Sequence, residues 1–70
     1  MRIVELTAEP IELYKILKFE GLVSSGGEAK QVIDNGLVKV NGEIERRKRK
    51  KIVSGDIIEF AEEQIQLKLA

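Results

Sequence analysis

Six consecutive cationic side chains, Arg46-Arg47-Lys48-Arg49-Lys50-Lys51, are the densest chemistry in this 70-residue chain. Like charges placed in succession repel one another. A polyanion relieves that repulsion and releases condensed counterions as it binds, which makes nucleic acid the natural ligand for the run. Two other readings stay open at this point: a solvated hairpin segment that binds nothing in particular, and a nuclear localisation signal. Formal net charge is zero, so outside residues 46–51 the chain has six basic against twelve acidic residues. Where the charge sits therefore says more about partners than its total does.

A second constellation is Ser24-Ser25-Gly26-Gly27. The N-terminus of a helix exposes unpaired N–H groups and partial positive charge, and glycines let a phosphate come close to the backbone. Two glycines at a helix start cost on the order of 0.5–1 kcal/mol each relative to Ala in a helix interior, and less at an end. A ligand contact would account for that cost. So would a close crossing with another backbone, and Glu28 would compete with phosphate for the same amides. Lys30 and Gln31 follow on the expected outer face of the same helix, Lys39 projects from the strand after it, and Asn41 could hydrogen-bond a sugar or base, although a turn also explains it. Lys15 and Lys18 sit on the preceding helix. The candidate nucleic-acid-binding residues are Ser24, Ser25, Gly26, Gly27, Lys30, Gln31, Lys39, Asn41, Arg46, Arg47, Lys48, Arg49, Lys50 and Lys51.

Catalytic chemistry has little material. There is no Cys, no His and no Walker-type phosphate loop, and nothing suggests a pair of catalytic carboxylates. An enzyme, a structural zinc site, a cofactor and a small-molecule substrate are not expected. The aromatics are Tyr14, Phe19 and Phe60; Tyr14 and Phe60 are expected in the core. Stacking platforms for unpaired bases need exposed aromatics among basic residues. Their scarcity favours reading RNA by shape and backbone.

These groups must be positioned by a small core. A chain this short buries only about 60% of its unfolded surface, and one domain over residues 1–70 is expected. No apolar run approaches the roughly 18 residues of a membrane span, and the N-terminus lacks a signal-peptide pattern; a soluble, cytoplasmic protein with no membrane partner is expected. Residues 2–7 read as a β-strand. Pro10 opens a helix that runs to about Glu20 and stops at Gly21, with Pro10, Leu13, Tyr14 and Leu17 on one face. Ser25-Gly26-Gly27-Glu28 fits a capping box: Ser25 accepts from the Glu28 amide and Glu28 reaches back to the Ser25 amide. Ala29, Val32 and Ile33 face inward and Gly36 stops this second helix, which the short Gly21–Ser24 connection makes part of a packed corner.

Leu37 to Val40 reads as a strand that turns at Asn41-Gly42. The pair suggests a two-residue hairpin loop. A three-residue loop, Val40-Asn41-Gly42, instead pairs Val38 with Ile44 and Lys39 with Glu43, making one face apolar and the other charge-paired, and is the preferred register. Ser54-Gly55-Asp56 is a turn, Ile57 to Phe60 a strand, and Ile65, Leu67 and Leu69 alternate as a last strand.

In this order the chain resembles the RNA-binding domain named after ribosomal small-subunit protein S-four, also called the alpha-L fold. The resemblance covers about Ile11 to Phe60. It rests on the helix Leu13 to Glu20, Gly21-Leu22-Val23-Ser24-Ser25, Glu28-Ala29-Lys30, Ile33, Gly36, Val38, Val40-Asn41-Gly42 and Gly55-Asp56-Ile57-Ile58. Small stand-alone bacterial members look closer still, sharing Ser-Gly-Gly-Glu-Ala-Lys and the basic run. Two departures stand out: Gly26 occupies a position where many members have Arg, and Tyr14 one where they have Asp. The resemblance implies an α+β fold, two short helices packed on a small bent antiparallel β-sheet. It implies docking on structured RNA, usually ribosomal or transfer RNA, without catalysis. A protein-interaction module whose basic segment meets an acidic partner is the alternative from another class, and DNA in place of RNA is a lesser one.

Overall fold

A computed structural model describes all residues, Met1–Ala70. In chain order the elements are β1 (Arg2–Leu6), β2 (Ile11–Glu12), α1 (Leu13–Phe19), α2 (Gly26–Asp34), β3 (Val38–Val40), β4 (Glu43–Ile44), β5 (Lys51–Ile52), β6 (Ile57–Phe60) and β7 (Glu63–Leu69). Five strands form one sheet in the order β1-β7-β6-β3-β4, while β2 and β5 form a separate two-stranded ribbon. Within the large sheet β3, β4, β6 and β7 are antiparallel neighbours. β1 joins at the edge parallel to β7, with Val4 beside Leu67, so the sheet is mixed rather than wholly antiparallel.

Thirteen apolar residues make one core. Leu13, Leu17, Ala29 and Ile33 from the helices and Val38 and Ile52 from the strands are all fully buried, and no polar or charged residue is. Replacing one of these leucines by Ala would remove roughly 2–5 kcal/mol. That is a large share of the few kcal/mol that a domain of this size holds in reserve.

Both helices end alike. The Gly21 amide donates to the Lys18 carbonyl and the Leu22 amide to Leu17; the Gly36 amide donates to Ile33 and the Leu37 amide to Val32. This paired pattern is a Schellman motif, with a left-handed glycine just past the helix. It consumes Leu37 in the cap of α2, so the strand starts at Val38 instead of Leu37, and Leu37 is left 56% exposed.

The first helix is shorter than its sequence suggests. It starts at Leu13, not Pro10. Pro10 is exposed outside it and does not share a face with Leu13, Tyr14 and Leu17. Ile11 and Glu12 are extended because they pair with Ile52 and Lys51 of β5. This long-range ladder overrides the local tolerance of Pro in a first helical turn.

The hairpin register also differs from the preferred one. Lys39 lies opposite Ile44 and Val40 opposite Glu43, closing a two-residue loop at Asn41-Gly42. Both residues are left-handed, with φ of 53° and 86°, the pair of angles that a type I′ turn needs and that Asn-Gly supplies most readily. Burial of Ile44 does not decide the register, because β4 is an edge strand and Ile44 stays 56% exposed. The turn is further pinned to β6: the Asn41 amide donates to the Ile57 carbonyl at 2.7 Å, and its side-chain Oδ1 accepts from the Ile57 amide at 2.9 Å.

Candidate nucleic-acid interface

The cationic run is folded back onto α1. Helix α1 has no side-chain N-cap. Its first two amides are met instead by carbonyls of the basic segment: Leu13 N–H donates to Lys50 O at 2.9 Å and Tyr14 N–H to Lys48 O at 3.1 Å. A turn closed by Lys50 N–H on Arg47 O, 3.1 Å, gives the segment its shape. Residues 46–51 therefore form a defined loop, closed by the β2–β5 ribbon, at the N-terminal end of α1.

The six cations are not equivalent. The Glu45 carboxylate takes Arg47 in a bidentate grip, Nε to Oε2 at 2.9 Å and Nη2 to Oε1 at 3.0 Å. This hydrogen-bonded pairing, partly opposed by burial, holds the Glu45 carboxyl down to about 2 and pushes the Arg47 guanidinium above its ordinary value. Arg49 lies 3.8 Å from Glu12, which also holds Lys15 at 3.4 Å. Arg46 stands over Gly36, where a built Cβ would come within 2.7 Å of its Nη2. That places a cation at the carboxyl end of α2, the favourable end of the helix dipole. Lys48, Lys50 and Lys51 make no ion pair.

At the other end of α2, Ser25 is the N-cap and its hydroxyl accepts from the Glu28 amide at 3.1 Å. The return contact falls one residue earlier than the capping box predicts. Glu28 Oε1 accepts from the Ser24 amide at 2.6 Å and the Ser24 hydroxyl at 2.8 Å. Those two bonds lower the Glu28 pKa. Ser25 N–H is thus not the partner of Glu28, because the connection bends so that Ser24 presents both donors. Neither glycine is demanded by a close crossing. A Cβ on Gly27 would meet only Ser25 Oγ, at 3.8 Å, and one on Gly26 would touch Tyr14 and Lys18 at an ordinary 4.0 Å.

Tyr14 joins the two constellations. Its ring is half-buried beside Gly26. Three cations approach its centroid: Lys30 Nζ at 4.7 Å, Lys15 Nζ at 5.9 Å and Arg49 Cζ at 6.0 Å. The glycine turn, Lys30 and the cationic loop therefore meet on one side of the molecule, around this ring. Lys30 is half-buried against it rather than on the outer face of α2. Gln31 is exposed. Lys39 is exposed on β3 between Ile44 and Glu59. The Asn41 amide is engaged internally, donating through Nδ2 to Asp56 Oδ1 at 3.0 Å as well as accepting from Ile57.

Sequence reasoning places Tyr14 in the core and overlooks Glu12 and Glu45 as organisers of the loop. Glu45 carried a local signal, two residues before an Arg at the mouth of the run. Glu12 carried none, since its role depends on the β2–β5 pairing. Phe19, whose place the sequence left open, is 64% exposed.

Two helices in a tight corner, with a small mixed sheet beside them, give this chain the α+β architecture of the alpha-L class of fold. The chain belongs to the S4 domain family, whose model matches residues 4–68. It is 47% identical over 57 residues to YbcJ of Escherichia coli (strain K12), provisionally named an RNA-binding protein, with 81% of each chain covered. YbcJ of Shigella flexneri matches equally and is uncharacterised. Among solved structures, the solution structure of E. coli YbcJ, described as revealing an alpha-L motif involved in RNA binding, matches with a TM-score of 0.73 at 43% identity, over 97% of this chain and 87% of that one. The crystal structure of 30S ribosomal protein S4e from Thermoplasma acidophilum matches with a TM-score of 0.67 at 31% identity, over 81% of this chain and 30% of that one.

Proposed function

We propose that this protein is a non-catalytic RNA-binding protein of the bacterial cytoplasm. In this reading it docks on structured RNA, ribosomal or transfer RNA, through the N-terminus of α2 and the cationic loop. The single observation that carries the reading is the junction at Tyr14, where the loop, Lys30 and the Ser24–Gly27 turn stand side by side. The chain's relatives named for RNA binding support it. Free Lys48, Lys50 and Lys51 supply charge, and the glycine turn supplies amides that a phosphate can approach. Phosphate contacts fix orientation without reading sequence, so recognition rests on the shape of a folded RNA.

The test is retention of a stem-loop RNA as a function of salt. Binding should weaken steeply with salt, with a slope of about 0.9 per neutralised phosphate on a duplex. Joint neutralisation of Arg46, Arg47, Lys48 and Arg49 should lower both affinity and slope. Unchanged retention at low salt would remove the loop from the site. Excess stem-loop RNA should displace the ligand captured from cell extract; a ligand that stays bound under that competition is a protein, and the reading is then wrong. Cross-linking in cells with sequencing of the attached transcripts names the RNA.

A further inference from the structure

Lys15, Lys30 and Arg49 come from α1, α2 and the cationic loop, three segments that the chain could orient independently. All three nevertheless converge on one ring, their charged groups 5.9, 4.7 and 6.0 Å from the Tyr14 centroid. Three positive charges gathered around one point repel one another, more strongly where the protein displaces water. Something must offset that repulsion. Two groups at the start of α1 do. Glu12 is 3.4 Å from Lys15 and 3.8 Å from Arg49, and the negative face of the Tyr14 ring attracts each cation. Lys30 makes no salt bridge, so the ring is the one charge-complementary group in the structure that holds it.

From this geometry we infer that Tyr14 is a positioning residue of the RNA-binding face: its ring gathers cations from α1, α2 and the loop into one phosphate-binding cluster. The inference rests on the RNA reading above and assigns the Tyr14 ring a role within it. An aromatic ring suits the task better than a carboxylate. It attracts a cation without neutralising it, so Lys30 keeps its full charge and its hydrogen-bond donors for phosphate. A carboxylate at residue 14, such as the Asp that many family members carry there, would hold Lys30 by an ion pair that offsets its charge. The ring has two negative faces, so it can attract more than one cation at once. Glu12 completes the arrangement by restraining Lys15 and Arg49 from below.

The experiment uses the full chain, a stem-loop RNA and three variants: Tyr14→Phe, Tyr14→Leu and Lys30→Met. In the free protein, the Lys30 Hε protons should show an upfield ring-current shift that Tyr14→Phe keeps and Tyr14→Leu abolishes. Tyr14→Leu should weaken RNA binding roughly three- to tenfold and reduce the salt slope by about one phosphate contact. Tyr14→Phe should retain both affinity and slope, since the ring and not the hydroxyl does the positioning. Lys30→Met should lose as much as Tyr14→Leu, which keeps the test valid if that variant fails to fold. The inference is overturned if the ring-current shift is missing, if Tyr14→Leu binds with unaltered affinity and slope, or if Lys30→Met costs nothing. If the unaltered protein binds no stem-loop RNA although the ring-current shift is present, the RNA reading is at fault, and the positioning role falls with it.

Discussion

Glu45 grips Arg47 at three points: its carboxylate accepts from the Arg47 backbone amide at 3.0 Å, from Nε at 2.9 Å and from Nη2 at 3.0 Å. The pair sits at the entrance to the cationic loop, and the Glu45 side chain is only 13% exposed. It fixes the direction in which the chain leaves β4.

The first prediction follows from that grip. A carboxyl whose folded pKa is depressed contributes stability that is present above its unfolded value and is lost as pH falls through the folded value. For Glu45 the window runs from the ordinary glutamate range, about 4.3, down to about 2. Acid titration followed by circular dichroism should show a loss of stability across this interval that Glu45→Gln lacks. A variant that titrates like the original protein would show the pair to be thermodynamically silent.

Arg47, being already partnered, should matter less to RNA than its free neighbours. Arg47→Gln should weaken stem-loop RNA binding less than Lys48→Gln at equal salt. The reverse order, measured by filter retention, would mean that the Glu45 pair opens on binding.

Gly27 has room for a methyl group. Gly27→Ala should therefore be neutral or add up to about 0.5–1 kcal/mol of stability by favouring the helix. If RNA affinity falls while the melting temperature holds or rises, the backbone at Gly27 is a contact surface. Unaltered affinity would confine the ligand to the side chains.

Gly36 is the opposite case. Its φ is 75°, and a Cβ there would press on the Arg46 guanidinium. Gly36→Ala should cost roughly 1–2 kcal/mol from the left-handed backbone alone, because Arg46 is flexible enough to swing aside. Repeating the substitution in an Arg46→Ala background separates the two effects in a denaturant titration: a cost that persists belongs to the backbone, and one that vanishes belongs to the clash.

The chain solves one turn in two ways. Asn41-Gly42 joins β3 to β4, whereas Ala61-Glu62 joins β6 to β7 with φ of 53° and 68°, left-handed angles that neither residue favours. Replacing Ala61-Glu62 by Asn-Gly should stabilise the protein by about 1 kcal/mol, a rise of roughly 4–8 °C in Tm for a domain of this size. No rise in the melting curve would mean that the present turn carries no strain.

What could be read from the sequence follows the range of the interactions. Helix α2 was legible in its caps, because Ser25, Glu28 and Gly36 act within a turn or two of themselves; the partner of Glu28 slipped by one residue, and Lys30 lies against Tyr14 and not on the outer face. The Asn41-Gly42 turn is legible too, but face polarity favours the other register; at an edge strand face polarity does not decide, because Ile44 has no need to be buried. The start of α1 was not legible, since Ile11 and Glu12 are drawn into a ladder by Ile52 and Lys51, far along the chain. The parallel seat of β1 beside β7 depends on partners more remote still. At the candidate interface, the run and the glycine turn were visible as types. That Tyr14, Glu12 and Glu45 would marshal the charges depends on tertiary proximity.

The carbonyls of Lys48 and Lys50, which receive the first amides of α1, make the order of the cationic loop and the order of that helix one and the same. A string of like charges on a free tether would have to surrender much of its freedom each time it met a ligand, and affinity would suffer by that amount. Here the restriction is imposed once, when the polypeptide collapses, and the charges are already arrayed when a nucleotide chain arrives.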